Sequence, residues 1–289
     1  MKKQNFLAFI ALALPILFWG SAFPSIRYAL SGYTPMEIAT LRFIIASLLL
    51  VIYSKIKKFG LPEIRDLPMI LFFSLTGVVL YHLPLNTGAK TVTAGTISLL
   101  NATAPVFTAI LSFFIVREKM RGKGWVGISI SFLGAGILAF NIGGGISFSF
   151  GALWILFAAF SESFYFIYQK KLLSKYGALP LTTYVIWFGA LMMLPFSGNL
   201  FESVISASIS SSCAVLYLGI FPTAIAYVLW AYDLCKFPAS RVASLLYLSP
   251  VIAISLGWFW LGENPSVLSL VGGALAIGGV ACVQRAKYE

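Results

Sequence analysis

Apolar runs of roughly 20 residues, cut by short clusters of Lys, Arg, Gly and Pro, recur from one end of the chain to the other. A helix needs about 20 mainly apolar residues to cross a bilayer. The runs predict spans at about 6 to 26, 35 to 53, 67 to 87, 91 to 116, 123 to 140, 149 to 169, 180 to 198, 208 to 231, 238 to 260 and 265 to 284, with Gly, Pro and charge marking the connections. The expected fold class is an all-α membrane protein of ten transmembrane helices. The opening run from Phe6 to about Ile26 follows Lys2 and Lys3 and precedes Gly20-Ser21-Ala22. That resembles a signal peptide, but the run is long enough to span and is retained as the first helix.

The pattern also repeats. Adding 145 to a position carries Ala94, Pro105 and Glu118 onto Ala239, Pro250 and Glu263, and Gly32, Pro35, Gly127 and Gly134 onto Gly177, Pro180, Gly272 and Gly279. Most other positions differ, so the repeat is carried by residues with backbone or capping roles. Two five-helix repeats follow, at 1–141 and 149–289, with a short Gly-rich join at 142–148. An odd number of spans per repeat makes the second copy cross the membrane in the opposite sense. Inverted repeats of this kind are a recurring architecture of secondary transporters.

Composition agrees with the pattern: 60% of residues are hydrophobic and 10% charged, where a soluble domain has about 25% charged. The formal charge of +11 is explained without nucleic acid, because the basic residues sit in loops between apolar runs. Of the 20 Lys and Arg residues, 17 fall on one predicted side, Arg27 and Lys90 on the other, and Arg42 inside a span. Positive-inside placement then puts both termini in the cytoplasm of a multi-pass protein of a bacterial-type cytoplasmic membrane. Cys213, Cys235 and Cys282 lack metal or disulfide spacing, and no metal or cofactor is expected.

The residues Trp19-Gly20-Ser21, Pro35 with Arg42, Ala94 through Pro105 to Glu118, Gly127 and Gly134, then Ala239, Pro250, Leu261-Gly262-Glu263, Gly272 and Gly278-Gly279 resemble in order and spacing the EamA type of the drug/metabolite transporter superfamily. The resemblance covers nearly the whole chain. It implies two inverted five-helix repeats, alternating access and export of small metabolites such as amino acids. It also implies a central cavity lined by helices 1, 3, 4, 6, 8 and 9, with helices 5 and 10 peripheral. Arg117 standing opposite Gly262, and Asp233 opposite Gly88, are departures between the repeats, so substrate details do not carry over.

Candidate chemistry lies on the polar positions left inside the spans. Glu162 is the one carboxylate well inside a span, where an ionised group costs about 3 kcal/mol; it is the first candidate for proton coupling or for binding a substrate amine. Its alternative is a neutral or paired acid bonding a neighbouring helix. Arg42 could pair with Glu162 or bind a substrate carboxylate, while the resemblance, which places Arg here generally, implies a structural role. Ala94, Ser98, Asn101, Pro105, Thr108 and Ser112 share one small, polar face of the fourth span; the second copy has Leu246 and Ala253 where the first has Asn101 and Thr108. Small residues at such spacing also serve close helix packing. Pro105 and Pro250 each remove a backbone donor and are expected to kink their helices.

His82 and Asn86 are candidates in the third span, His82 reading first as an ordinary hydrogen-bonded residue. Trp19, Tyr81, Tyr165, Trp187, Tyr227, Trp230 and Tyr247 fall on cavity helices, where the alternative is interfacial anchoring. Glu118 and Glu263 end helices and read as caps, ion-pair partners or matching gate struts. The favoured function is a secondary transporter with a small-molecule substrate and the lipid bilayer as partners, a homodimer being left open. The alternatives are a channel or lipid scramblase and, from another class, an intramembrane enzyme, for which no HExxH, GxSxG or multi-histidine site is present.

Overall fold

The computed structural model describes residues 2–118, 120–142, 145–146, 148–230 and 245–288. The chain forms α1 (Lys2–Ala29) and α2 (Pro35–Lys57), then α3 (Ile64–Gly88), α4 (Ala94–Val116), α5 (Gly122–Ala139), α6 (Phe150–Tyr168), α7 (Ala178–Phe196) and α8 (Ile209–Trp230). It closes with α9 (Ser249–Leu261) and α10 (Val267–Tyr288). By length and hydropathy, α2 to α8 and α10 are eight candidate membrane spans among the described residues. α1 adds 28 helical residues and α9 a shorter 13. Short helices Lys170–Tyr176 and Leu200–Ser206 lie in connections. Apart from a two-residue antiparallel ribbon that pairs Asn141–Ile142 with Gly145–Ile146 at the join, the described structure is helical. Ala239, Ala243, Asp233 and Cys235 lie outside the described residues.

Local sequence explains where the helices begin and stop. Thr34 and Glu37 form a reciprocal capping box around Pro35 at the start of α2, which satisfies donors the first turn leaves open. α4 and α9 end alike: Arg117 and Gly262 adopt positive φ of 59° and 68°, and the next N–H, of Glu118 or Glu263, bonds back six residues to Ser112 or Gly257. That is a left-handed helix stop, made once with glycine and once with an arginine.

The kink expected at Pro105 takes the form of a break. α4 is helical from Ala94 to Asn101, turns at Ala102 and Thr103, and resumes at Ala104 with Pro105 in the first turn. There the missing N–H costs nothing extra. Thr103 Oγ1 donates to the Leu100 carbonyl and Thr108 Oγ1 to that of Ala104, while the Ser163 hydroxyl shares its proton between the Ala159 carbonyl at 2.8 Å and the Ala104 carbonyl at 3.1 Å. The last of these bonds docks α6 onto the break. Pro250 occupies the same place, in the first turn of α9 after a 3-10 stretch from Leu245 to Leu248.

Packing follows small residues. A Cβ on Gly134 would lie 2.4 Å from the Ala276 nitrogen, and one on Gly279 2.4 Å from the Ser131 nitrogen, so α5 and α10 meet backbone to backbone as membrane helices do through glycine. α1 packs on α8 and α9, α6 on α3 and α4, α2 on α7 and α8, α3 on α7, and the first half of α4 on α9. Polar ties close the ends. At one, the Arg27 guanidinium donates to Glu263 Oε1 at 2.9 Å and to the Ala89 carbonyl at 2.7 Å, while Glu263 Oε2 accepts the Ala94 N–H at 2.7 Å. At the other, Lys175 binds Glu63 and Asp66, and Tyr176 donates to Asp66. The hydrogen bond from Lys175 holds the Glu63 carboxyl below its ordinary range.

Candidate functional site

α8 is the element that positions the intramembrane polar groups. Between Gly219 and Ile225 it widens into a π-helical stretch containing Pro222, a form of helix that occurs often at functional sites. Proline cannot donate to the carbonyl four residues back; the Thr223 hydroxyl donates to that Leu218 carbonyl instead, at 2.8 Å. With its proton so committed, Thr223 Oγ1 accepts from Arg42 Nε at 3.0 Å. The Pro222 carbonyl, also freed by the widened turn, accepts the Trp19 indole N–H at 2.9 Å. One distorted turn therefore fixes a guanidinium from α2 and an indole from α1.

Around this turn the aromatic candidates assemble. Trp19 meets Tyr227 at 5.6 Å and Trp230 at 5.0 Å between ring centroids, both edge-on. Tyr81 and Tyr227 stand in the electrostatic field of both Arg42 and Glu162, and Tyr81 lies against Asn101. Tyr165, on α6, also feels Glu162; its ring packs edge-on to Phe73 at 5.7 Å and against Gly77. The fold thus gathers Arg42, Glu162, Trp19, Tyr81, Tyr165, Tyr227, Trp230 and Asn101 from α1, α2, α3, α4, α6 and α8.

Several sequence expectations are revised. The Arg42–Glu162 ion pair is not formed: Arg42 bonds Thr223, and Glu162 has no hydrogen bond or ion pair among the described residues. Tyr81 and Tyr227 each stand within electrostatic reach of both charges. His82 is not hydrogen-bonded; both ring nitrogens are buried without a partner, and the ring lies edge-on to Phe43 at 4.7 Å and Tyr81 at 4.5 Å. Asn86 is fully buried away from this cluster, where its Nδ2 donates to the Pro35 carbonyl and ties α3 to the start of α2. Thr108 is spent on its own helix, and Tyr247 packs beside Ile110 and Met120 in a separate cluster of α4, α5 and α10. Trp187 donates to the Ser47 carbonyl and joins α7 to α2.

Thr223 and Pro222 escaped the sequence reading. The available signal was a hydroxyl residue directly after a proline inside a span, where that hydroxyl can replace the lost donor. Asn101 Oδ1 is buried without a partner, beside the break in α4. Two cavities lie outside this cluster. One of about 340 Å³ is lined by Thr93, Thr96, Glu263, Asn264 and Ser269, and an open one of about 580 Å³ by Glu37, Lys90 and Asn199. Among the described residues no group of three His, Cys, Asp or Glu is arranged to hold a metal ion.

Comparison with known proteins places this arrangement. The uncharacterized transporter YdfC of Bacillus subtilis is 41% identical over 97% of this chain and 92% of its own length. A protein of Streptantibioticus cattleyicolor named as a probable terminal-alkyne amino-acid exporter is 36% identical over 95% and 92%. The uncharacterized inner membrane transporter YedA of Escherichia coli K12 is 29% identical over 99% and 93%. A solved crystal structure aligns with a TM-score of 0.67 at 19% identity, covering 98% of this chain and 99% of that one, which speaks to fold alone. These names point to transport rather than catalysis, in an integral multi-pass membrane protein. The model of the EamA-like transporter family matches twice, over residues 6–140 and 149–285, so the protein carries two EamA repeats and belongs to the EamA-like transporter family of the drug/metabolite transporter superfamily.

Proposed function

We propose that this protein is a secondary transporter of the bacterial cytoplasmic membrane that exports small metabolites such as amino acids by alternating access. Counting α1 and α9 with the eight candidate spans gives ten helices, five in each of the repeats 1–141 and 149–289. The observation that carries the reading is an exchange symmetry in the packing. Swapping α1 with α6, α2 with α7, α3 with α8, α4 with α9 and α5 with α10 turns the α1–α8 contact into α6–α3, α1–α9 into α6–α4 and α2–α8 into α7–α3, and returns the α2–α7, α4–α9 and α5–α10 contacts to themselves. Five helices per repeat make the two copies antiparallel. Two such halves that share their central contacts can rock about a common site near the midplane.

The amino-acid assignment draws on the name of the Streptantibioticus relative and on a site with one acid, one base and an aromatic wall. Both termini lie in the cytoplasm in this reading, on the side of the Lys175 cluster. Glu162 is the coupling candidate, with Tyr81, Tyr165 and Tyr227 as the titratable groups within its electrostatic reach and Arg42 within that of Tyr81 and Tyr227.

The test of the function compares metabolites in the medium of cells with and without the overexpressed protein, followed by counterflow of the enriched compound in proteoliposomes. Trans-stimulation is expected; flux that ignores the opposite compartment would replace the carrier by a channel. Glu162→Gln is expected to abolish the pH dependence of uptake, and an unchanged pH profile would remove Glu162 from coupling. Reporter fusions at Lys57 and Gly144 check the topology.

A further inference from the structure

We infer that the widened turn of α8 is an anion receptor: Thr223 orients Arg42 so that its terminal nitrogens take the carboxylate of an organic acid whose apolar part lies on the Trp19, Tyr227 and Trp230 rings. This rests on the transport reading and specifies which end of the substrate the site reads.

Four observations support it. Arg42 is only 4% exposed, yet no carboxylate lies within ion-pair distance among the described residues. A guanidinium held inside a membrane protein is costly unless it is paired or lines a cavity, a setting that a bound carboxylate would complete. Second, only its Nε is hydrogen-bonded, by Thr223 Oγ1, while the guanidinium carbon lies 5.6 Å from the centroid of the Phe43 ring. The terminal nitrogens have no acceptor among the described residues, and they are not among the fully buried side-chain atoms that lack a partner, which include those of His82 and Asn101. These nitrogens therefore still border free space, and the Tyr81 and Tyr227 hydroxyls lie within electrostatic reach of the guanidinium.

Third, Thr223 can only accept. Its proton goes to the Leu218 carbonyl at 2.8 Å, which leaves a lone pair facing Arg42 Nε and fixes the plane of the guanidinium. A planar fork held by Nε presents its other N–H groups as a pair suited to a carboxylate. Fourth, the neighbouring Pro222 carbonyl holds the Trp19 indole by its N–H, and Trp19 is braced by Tyr227 and Trp230. The same turn thus sets the aromatic wall beside the fork, and a ligand that reaches both has an acidic end and an apolar, preferably aromatic, end. Thr223 is a positioning residue in this scheme; Arg42 makes the contact.

The experiment is calorimetric titration of the whole protein in lipid nanodiscs with four probes of one shape: phenylalanine, 3-phenylpropanoate, phenylalaninamide and phenethylamine. The two carboxylates are expected to bind about 10- to 100-fold more tightly than the amide and the amine, the worth of charge-assisted hydrogen bonds. Thr223→Val is expected to reduce this preference and Thr223→Ser to restore it, while Arg42→Lys, which keeps the charge and loses the fork, is expected to abolish it. Thermal melting and size-exclusion profiles verify that each variant is folded. Because the four-probe comparison is made first on the unaltered protein, a variant that fails to fold leaves the test intact. Equal binding of amide and acid, no binding by either acid, or a preference indifferent to Thr223→Val with Arg42→Lys would overturn the receptor. Counterflow of the same probes separates the two levels: acid-selective binding without transport sinks the carrier reading and leaves the receptor, whereas transport blind to the carboxylate does the reverse.

Discussion

The π-helical stretches of α3 and α8 occupy corresponding places in the two repeats, Leu75–Val79 in one and Gly219–Ile225 in the other, yet they serve different ends. In α8 the stretch presents Thr223 to Arg42 and the Pro222 carbonyl to Trp19. In α3 the matching positions are Val78 and Gly77. Val78 fills the notch at Gly189 of α7, where an added Cβ would come within 2.5 Å of its Cγ1, and Gly77 accommodates the Tyr165 ring of α6. The backbone device is shared and its load is not: one copy arranges polar groups, the other joins helices. What repeats in this fold is the distortion of the helix, while the side chains placed on it decide whether the turn is a receptor or a joint. The polar site accordingly leans toward α2 and α8 and does not sit evenly between the repeats.

That contrast can be broken by substitution, and the largest effect is expected on the packing side. Gly189→Leu forces a side chain into Val78 and should destabilise the protein by about 3 kcal/mol, read as a lowered melting temperature in detergent or poor recovery of monodisperse protein; a stable variant would show that the α3 turn is not a packing joint. Next, Val78→Thr places at the α3 turn the residue that α8 carries. The new hydroxyl has only its own helix to bond, so a cost of about 1 kcal/mol in stability is expected with no change in ligand preference. The mirror change, Thr223→Val, is expected to alter preference more than melting. If Val78→Thr shifted ligand selectivity, the division between joint and receptor would fail. The smallest effect is expected from Trp19→Phe, which keeps most of the ring and loses the indole donor to the Pro222 carbonyl. A loss of about 1 kcal/mol or less in stability should accompany weaker binding of aromatic probes and leave the acid-over-amide ratio intact.

Much of the architecture was legible because lipid imposes simple demands. Helix ends fall within four residues of the predicted spans wherever both are described, since a bilayer requires a long apolar run and Gly, Pro and charge punctuate it. The 145-residue offset read from Pro, Gly and Glu reappears as matching helix stops at Arg117 and Gly262 and matching breaks before Pro105 and Pro250. The site was legible only as a set of residue types. Glu162 and Arg42 stand out because charge inside a span is rare, but opposite sign alone does not pair them, and Arg42 bonds Thr223 instead. His82 was expected to be hydrogen-bonded because histidines usually are; whether a neighbour offers an acceptor depends on which helix faces it.

The sequence by itself determined that the chain spans a membrane many times, that it carries two related repeats, and which residues are costly enough within lipid to demand an explanation. These follow from composition and spacing, which act locally along the chain. Only the tertiary structure decided that Thr223, unremarked in the sequence, holds Arg42, that Trp19 answers to Pro222, and that Asn86 bonds the Pro35 carbonyl and Thr108 that of Ala104. Each of those facts depends on the rotation of one helix against another, and helix rotation is set by long-range packing of glycines and side chains far apart in the chain.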